Sequence, residues 1–331
     1  MVSVGLLTGL EVMAGIVNVY SYRQEFLMKP ILEEFKQQTG HTVNFLYAGK
    51  GLMKRLEQEG KNSPADVLLT SDIGNADKLV RKGLVQKINS NTLSVVGQNF
   101  QHPEGYWVAQ TTRARVIYAS KNRVPKGSVQ TWEDLLSPKF KGKVCIRNGK
   151  HSYNLGLWSS FIVREGESYT KDYLTKLKGN LARKPQGNDR AQAKAIWQGQ
   201  CDVAIANSYY MGKMITAKGK YAQQRKWADA SYIIFPNQNK GGTHVNVSTA
   251  AIAKNSPNIE VANELVKFLV SDKAQKIYAS VNHEHPVKEG IEYSKILKEW
   301  GAFKAESISL QSIADNRKKA LKIIDKVGFN D

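Results

Sequence analysis

From residue 17 onward, short apolar runs alternate with amphipathic stretches. Val17-Asn18-Val19-Tyr20-Ser21 predicts a strand, and Ile31, Leu32 and Phe35 fall on one stripe of a helix over 28–38 that Gly40 ends. Residues 41–46 predict a second strand, 52–59 a second helix, 66–69 a buried strand, and 75–82 a helix closed by Gly83. Asp72, just before that last helix, reads as its cap. This β-α-β-α-β rhythm within 70 residues predicts a parallel sheet with helices on both faces.

The pattern changes at Tyr106. Residues 107–112 and 116–119 are extended runs with no helix between them, as expected of a crossing from one lobe into another. A short helix capped by Thr131 follows at 132–136, then a strand at 143–147 and helices at 155–164, 169–177 and 191–198. A buried strand at 202–206 comes next, and a second extended run at 245–253 carries the chain back. Helices at 259–270 and 273–280 precede a mostly helical remainder. Two α/β lobes joined by two extended crossovers describe a hinged, cleft-closing protein. Lobe one is expected over 17–109 with 240–285, and lobe two over 110–239 with 286–331.

Composition narrows the function. The 331 residues are 41% hydrophobic and 23% charged, and no run of 18 apolar residues occurs. The net charge of +19, from 48 Lys+Arg against 29 Asp+Glu, invites a nucleic-acid reading. Its basic residues are spread along the chain, and the cluster Arg317-Lys318-Lys319 with Lys322 and Lys326 reads as one solvated helix face. No nucleic-acid-binding motif accompanies it, so a diffuse field for an anionic ligand or surface is expected instead. Residues 1–16 have the small, apolar flavour of a leader remnant, without a positive start and with Glu11 inside, and are set apart from the fold.

The chemistry concentrates at Cys201–Lys213, reading CDVAIANSYYMGK. The strand ends where a helix begins, and Tyr209 and Tyr210 stand at that junction, the place where α/β sheets bind ligands. Tyr153 follows an earlier strand, and the spacing repeats: Cys145 precedes Tyr153 by eight, as Cys201 precedes Tyr209. Paired phenols can pack, stack on an organic cation such as a polyamine or a thiamine-like ligand, or ligate a hard metal ion. No nucleophile elbow, zinc-protease motif, phosphate loop or dinucleotide fingerprint points to an enzyme.

Three segments make the pattern familiar. Residues 185–190 (PQGNDR), 201–210 (CDVAIANSYY) and 242–248 (GTHVNVS), with VYSYR, TTRARVIYAS and FLVSDKAQ elsewhere, closely resemble the ferric-iron-binding proteins of bacterial ABC importers, nearest the cyanobacterial branch. The resemblance covers residues 17–331. It implies a two-lobed periplasmic-binding-protein fold of the type II, transferrin-like kind. It further implies a periplasmic or membrane-held monomer that carries Fe(3+) to an inner-membrane permease.

By the resemblance Tyr153, Tyr209 and Tyr210 are metal ligands. The family often adds a His, or His and Tyr, after the first strand; here Gln24 and Glu25 stand there instead. The fourth ligand is therefore open between Tyr22, which is favoured, and Glu25. Arg23 and Arg113 are candidates to balance phenolate charge at the edge of the site, while His151 and His244 are expected to be solvated loop residues. An oxidising setting, with the matched offsets, implies a Cys145–Cys201 disulfide. It would close a loop of about 55 residues and stabilise by roughly 4 kcal/mol.

Overall fold

A computed structural model describes residues 14–49 and 51–331. The expected leader falls largely on residues 1–13, which lie outside the described residues. The chain runs β1 (Ile16–Ser21), α1 (Glu25–Thr39), β2 (Thr42–Tyr47), α2 (Leu52–Glu59), β3 (Val67–Thr70), α3 (Ile73–Arg81), β4 (Val85–Gln86), α4 (Ser90–Leu93) and β5 (Val108–Ser120). It continues through β6 (Val144–Ile146), α5 (Ser152–Gly179), α6 (Asp189–Trp197), β7 (Val203–Asn207), α7 (Ser208–Ile215), α8 (Gln224–Asp229) and β8 (Ser231–Ile234). The last elements are β9 (Val245–Ala253), α9 (Ile259–Leu269), α10 (Asp272–Ile277), β10 (His285–Pro286), α11 (Lys295–Trp300), α12 (Leu310–Asp315) and α13 (Arg317–Val327).

The main strand order is β2-β1-β3-β9-β5-β7-β6. β1 pairs in parallel with β2 and β3, as the βαβ rhythm predicts, and β6 pairs in parallel with β7. The sheet is nevertheless mixed, because β9 runs antiparallel to both β3 and β5, and β5 antiparallel to β7. The two extended runs expected at 107–119 form one continuous strand, β5, buried along all 13 residues. Its first part, Val108 to Ala114, pairs with β9, and from Arg115 onward it pairs with β7. β5 and β9 are thus the two crossings.

Side-chain packing divides around those crossings. A first core gathers β1, β3, α1, α9 and the facing parts of β5 and β9, and takes in Leu310, Ile313 and Ala314 of α12. A second forms around Trp132, Trp158, Phe161 and Tyr173 and is covered by α13. A third lies across the same strands, around Tyr118, Cys145, Cys201, Met211 and Met214. The disulfide joins Cys145 of β6 to Cys201 just before β7, with Cα atoms 5.9 Å apart.

Local chemistry sets the element ends. Gly40 adopts φ 74° and closes α1, a conformation that a Cβ would disfavour. Asp72 caps α3 by accepting from the amides of Gly74 (2.9 Å) and Asn75 (3.2 Å), worth about 1 kcal/mol. The two helices expected over 155–164 and 169–177 are the two halves of α5, parted at Gly166, where φ is 88°. Among the described residues no helix is long and apolar enough to cross a membrane.

Candidate metal centre

Tyr209 and Tyr210 occupy the first turn of α7, their ring centroids 4.1 Å apart. The junction that carries them is held at Asn207 from three directions. Its amide donates to Asp189 Oδ2 (2.8 Å), its carbonyl accepts from the Tyr118 hydroxyl (2.7 Å), and its Oδ1 accepts from Arg115 Nη1 (3.0 Å). Tyr153 stands in the first turn of α5, where its amide donates to His151 Nδ1 (3.3 Å) and the two rings meet edge-on at 4.5 Å. Asn154 beside it accepts from Arg115 Nη2 at 2.6 Å, so one guanidinium reaches both tyrosine-bearing turns.

Asp189 is the anchor of this arrangement. It is fully buried and ion-paired to Arg115 (2.8 Å) and Arg147 (3.0 Å). Burial raises its carboxyl, but the two guanidinium groups and the Asn207 amide outweigh that and hold it below the usual range. Arg147 in turn lies over the Tyr153 ring at 5.1 Å, and Arg190 over Tyr210 at 5.1 Å.

Tyr22 approaches from the other core. It follows β1; its amide donates to the Leu69 carbonyl (2.9 Å), and its hydroxyl accepts from the Met53 amide (3.3 Å). Arg23 beside it is buried and paired with Glu284 at 2.7 Å. Arg113, on the crossing β5, lies 3.6 Å from the same carboxylate and donates to Ser248 Oγ, the Ser71 carbonyl and the Val247 carbonyl.

One cavity of about 320 Å³ is lined by Tyr22, Tyr153, Tyr209 and Tyr210, and also by Arg23 and Arg113. All six expected residues therefore converge. Glu25 does not: it is exposed in the first turn of α1, outside the lining. Sequence reading left out Arg147, Arg190, Lys213, Glu284 and Tyr47, which also line the cavity. Arg190 could have been found, since it ends the GNDR segment. Glu284 lies far along the chain and is recognisable by its partners alone.

The two histidines differ from expectation. His151 lines the cavity half-buried, its imidazole pushed down to about 4 by burial and by Arg147. His244 is buried in β5's neighbour segment, bonded through Nδ1 to Glu306, which also pairs with Arg164 at 3.2 Å. Neither is a solvated loop residue, because both loops pack against α5 or the C-terminal chain.

The electrostatics are one-sided. Arg23, Arg113, Arg147, Arg190 and Lys213 face the cavity, and among the described residues Glu284 is its sole lining carboxylate, already shared by two arginines. Burial and mutual repulsion with Tyr153 keep the Tyr209 and Tyr210 phenols protonated well beyond their ordinary value. Burial likewise raises Tyr22. Such a cluster of hard, ionisable oxygens accepts a small, highly charged cation that can displace the protons. It has little to offer an organic cation, which needs free carboxylates. Among the described residues no group of three or more His, Cys, Asp or Glu side chains could hold a metal ion.

Comparison with known proteins follows the same line. The family model of bacterial extracellular solute-binding proteins matches residues 20–276. Iron uptake protein A1 of Synechocystis sp. is 38% identical over 316 residues, covering 95% of this chain and 87% of the relative. The apo ferric ion-binding protein A of Pasteurella haemolytica superposes with a TM-score of 0.90 at 49% identity, covering 96% and 99% of the two chains. The Trichodesmium IdiA/FutA protein, solved in complex with iron and citrate, superposes with a TM-score of 0.90 at 38% identity, covering 95% and 100%. A spermidine/putrescine-binding protein of Escherichia coli stands further off, at 22% over 286 residues.

Proposed function

The chain belongs to the bacterial extracellular solute-binding proteins, within the ferric-iron-binding group, and from that premise we propose how its cleft works. The protein captures ferric iron in the periplasm through the phenolates of Tyr153, Tyr209, Tyr210 and Tyr22 and delivers it to an inner-membrane ABC permease. The ion is cargo, and no substrate chemistry is needed. The observation that carries this reading is the convergence of Tyr22, Tyr153, Tyr209 and Tyr210, with Tyr47 at the wall, and five cations in one cavity where Glu284, the lining carboxylate among the described residues, is already paired.

The charge arrangement fits a trivalent ion. Three or four phenolates balance Fe(3+), and the surrounding guanidinium groups help to hold those phenolates ionised. Arg23 and Arg113 act at one remove, since Glu284 fixes them against the crossing strands. Tyr22 joins when the lobes close over the ion, which couples binding to closure. The protein works as a monomer, free or held at the membrane surface. The polyamine reading is disfavoured because a polycation would meet arginines and a lysine in the cleft.

The test is colour. Purified protein given ferric iron should absorb broadly in the visible through phenolate-to-metal charge transfer. Tyr209→Phe with Tyr210→Phe should abolish the band. An unchanged spectrum in the double variant would refute the assignment.

A further inference from the structure

A second cavity, of about 720 Å³, adjoins the tyrosine cavity and shares Gln24, Phe26, Arg190 and Lys213 with it. Its cations are Arg190, Lys213, Lys218 and Lys220, and no carboxylate lines it. None of the four forms an ion pair among the described residues. Arg190 Nε is buried without a partner, and Lys213 Nζ donates to the Val281 carbonyl (2.8 Å) and Asn282 Oδ1 (3.3 Å). Unpaired positive charge gathered on a concave surface is costly unless an anion answers it.

The apolar part of the wall is as distinctive. Phe26 is 51% exposed and Tyr221 55% exposed, the two most exposed large apolar side chains of the described residues, and both line this cavity. Lys213 Nζ stands 5.6 Å from the centre of the Phe26 ring, and Lys220 Nζ 5.3 Å from that of Tyr221. Phe26 comes from α1 and Tyr221 from the turn after α7, so rings from both sides of the cleft meet one space. A phosphate or a simple carboxylate would answer the charge and leave both rings in water. A flat aromatic anion answers both, and the volume suits a small organic ligand.

We propose that this annex binds an aromatic anionic chelator of the catecholate class, its ring against Phe26 and Tyr221 and its oxygens toward Arg190 and Lys213. The shared wall sets those oxygens beside the tyrosines, so the inference rests on the ferric-iron reading for its purpose. Iron then arrives as a catecholate complex. Each iron–catecholate oxygen bond is exchanged for an iron–phenolate bond, and the phenol's proton passes to the departing catecholate oxygen. The metal stays ferric throughout and the atoms balance. The annex retains the organic part while the ion moves, which spares a free ferric ion from water.

The experiment uses the full chain and 2,3-dihydroxybenzoate, first without metal, by calorimetry. The parent should bind it. Lys218→Glu with Lys220→Glu, and separately Tyr221→Ala, should weaken binding about tenfold or more, while colour formed from ferric nitrilotriacetate is unchanged. These three residues are exposed and lie outside the tyrosine cavity, and circular dichroism checks that the variants fold. Tyr209→Phe with Tyr210→Phe should lose the iron colour and keep the dihydroxybenzoate, which separates failure of the iron reading from failure of the annex. No binding by a parent that still colours with iron would overturn the inference. So would equal competition by inorganic phosphate, or full affinity in both annex variants.

Discussion

Tyr153, Tyr209 and Tyr210 stand on helix first turns tied together by buried charge, whereas Tyr22 stands on a strand end tied by little. On the first side, Asp189 clamps Arg115 and Arg147, and Arg115 then reaches Asn154 next to Tyr153 and Asn207 two residues before Tyr209. The disulfide fastens the strands beneath those same turns. On the other side, Tyr22 has one backbone bond and one weak hydroxyl contact, and Tyr47 beyond it is 46% exposed. The buried charge there, Arg23 with Glu284, secures the crossing rather than the phenol. On the proposed reading, three donors that meet one ion need a rigid support, and a fourth that arrives on closure needs freedom to move.

Breaking the rigid side should have the largest effect. Asp189→Asn leaves the buried Arg115 and the largely buried Arg147 without their carboxylate and should cost roughly 3–5 kcal/mol of stability. Where the variant folds, ferric affinity should fall about 10–100-fold, as for other residues that orient metal ligands. Denaturant titration and an iron competition assay measure the two. Arg147 and Arg115 untouched and affinity unaltered would mean that the turns hold themselves.

Cys145→Ser with Cys201→Ser comes next. Removing the link should lower stability by about 4 kcal/mol on the chain-entropy model, with iron colour retained in the folded fraction. Mass spectrometry of unreduced protein from an oxidising compartment should show no free thiols.

A smaller effect sharpens the contrast from the other side. Burial raises the Glu284 carboxyl, yet Arg23 and Arg113 outweigh it and hold it below the usual range. A depressed folded value means stability that is full above the unfolded carboxyl value of about 4.3 and lost as pH falls through the folded one. The parent should therefore lose stability on acidification more steeply than Glu284→Gln, which is weaker at neutral pH. Parallel melting curves against pH would show that the pair contributes no such linkage.

Much of this was legible in the chain. The βαβ start, the Asp72 cap and the Tyr-bearing junctions follow from periodicity and turn chemistry, because those signals are local. The six residues singled out from the segments line one cavity. What escaped was non-local or dependent on surroundings. The antiparallel run of β9 against β3 cannot be read from either strand's own pattern. Arg147 and Lys213 look like any surface cation until the fold turns them inward. Glu284 sits in a stretch, His283-Glu284-His285, whose polarity suggests a loop, yet all three are buried because two arginines and an aromatic cluster receive them. Glu25, the second choice for the fourth ligand, is exposed in the first turn of α1 and outside the cavity lining.

The most direct test of the asymmetry is small-angle scattering with and without ferric iron, read together with visible absorption, on Tyr22→Phe and Tyr153→Phe. Three phenolates remain in each. If the rigid side captures the ion and Tyr22 couples it to closure, Tyr22→Phe should stay coloured with a shifted band and compact less on adding iron than the parent. Tyr153→Phe should bind more weakly and keep more of the compaction. Tyr22→Phe binding iron and compacting just as the parent does would contradict the account and reduce Tyr22 to a wall of the cleft.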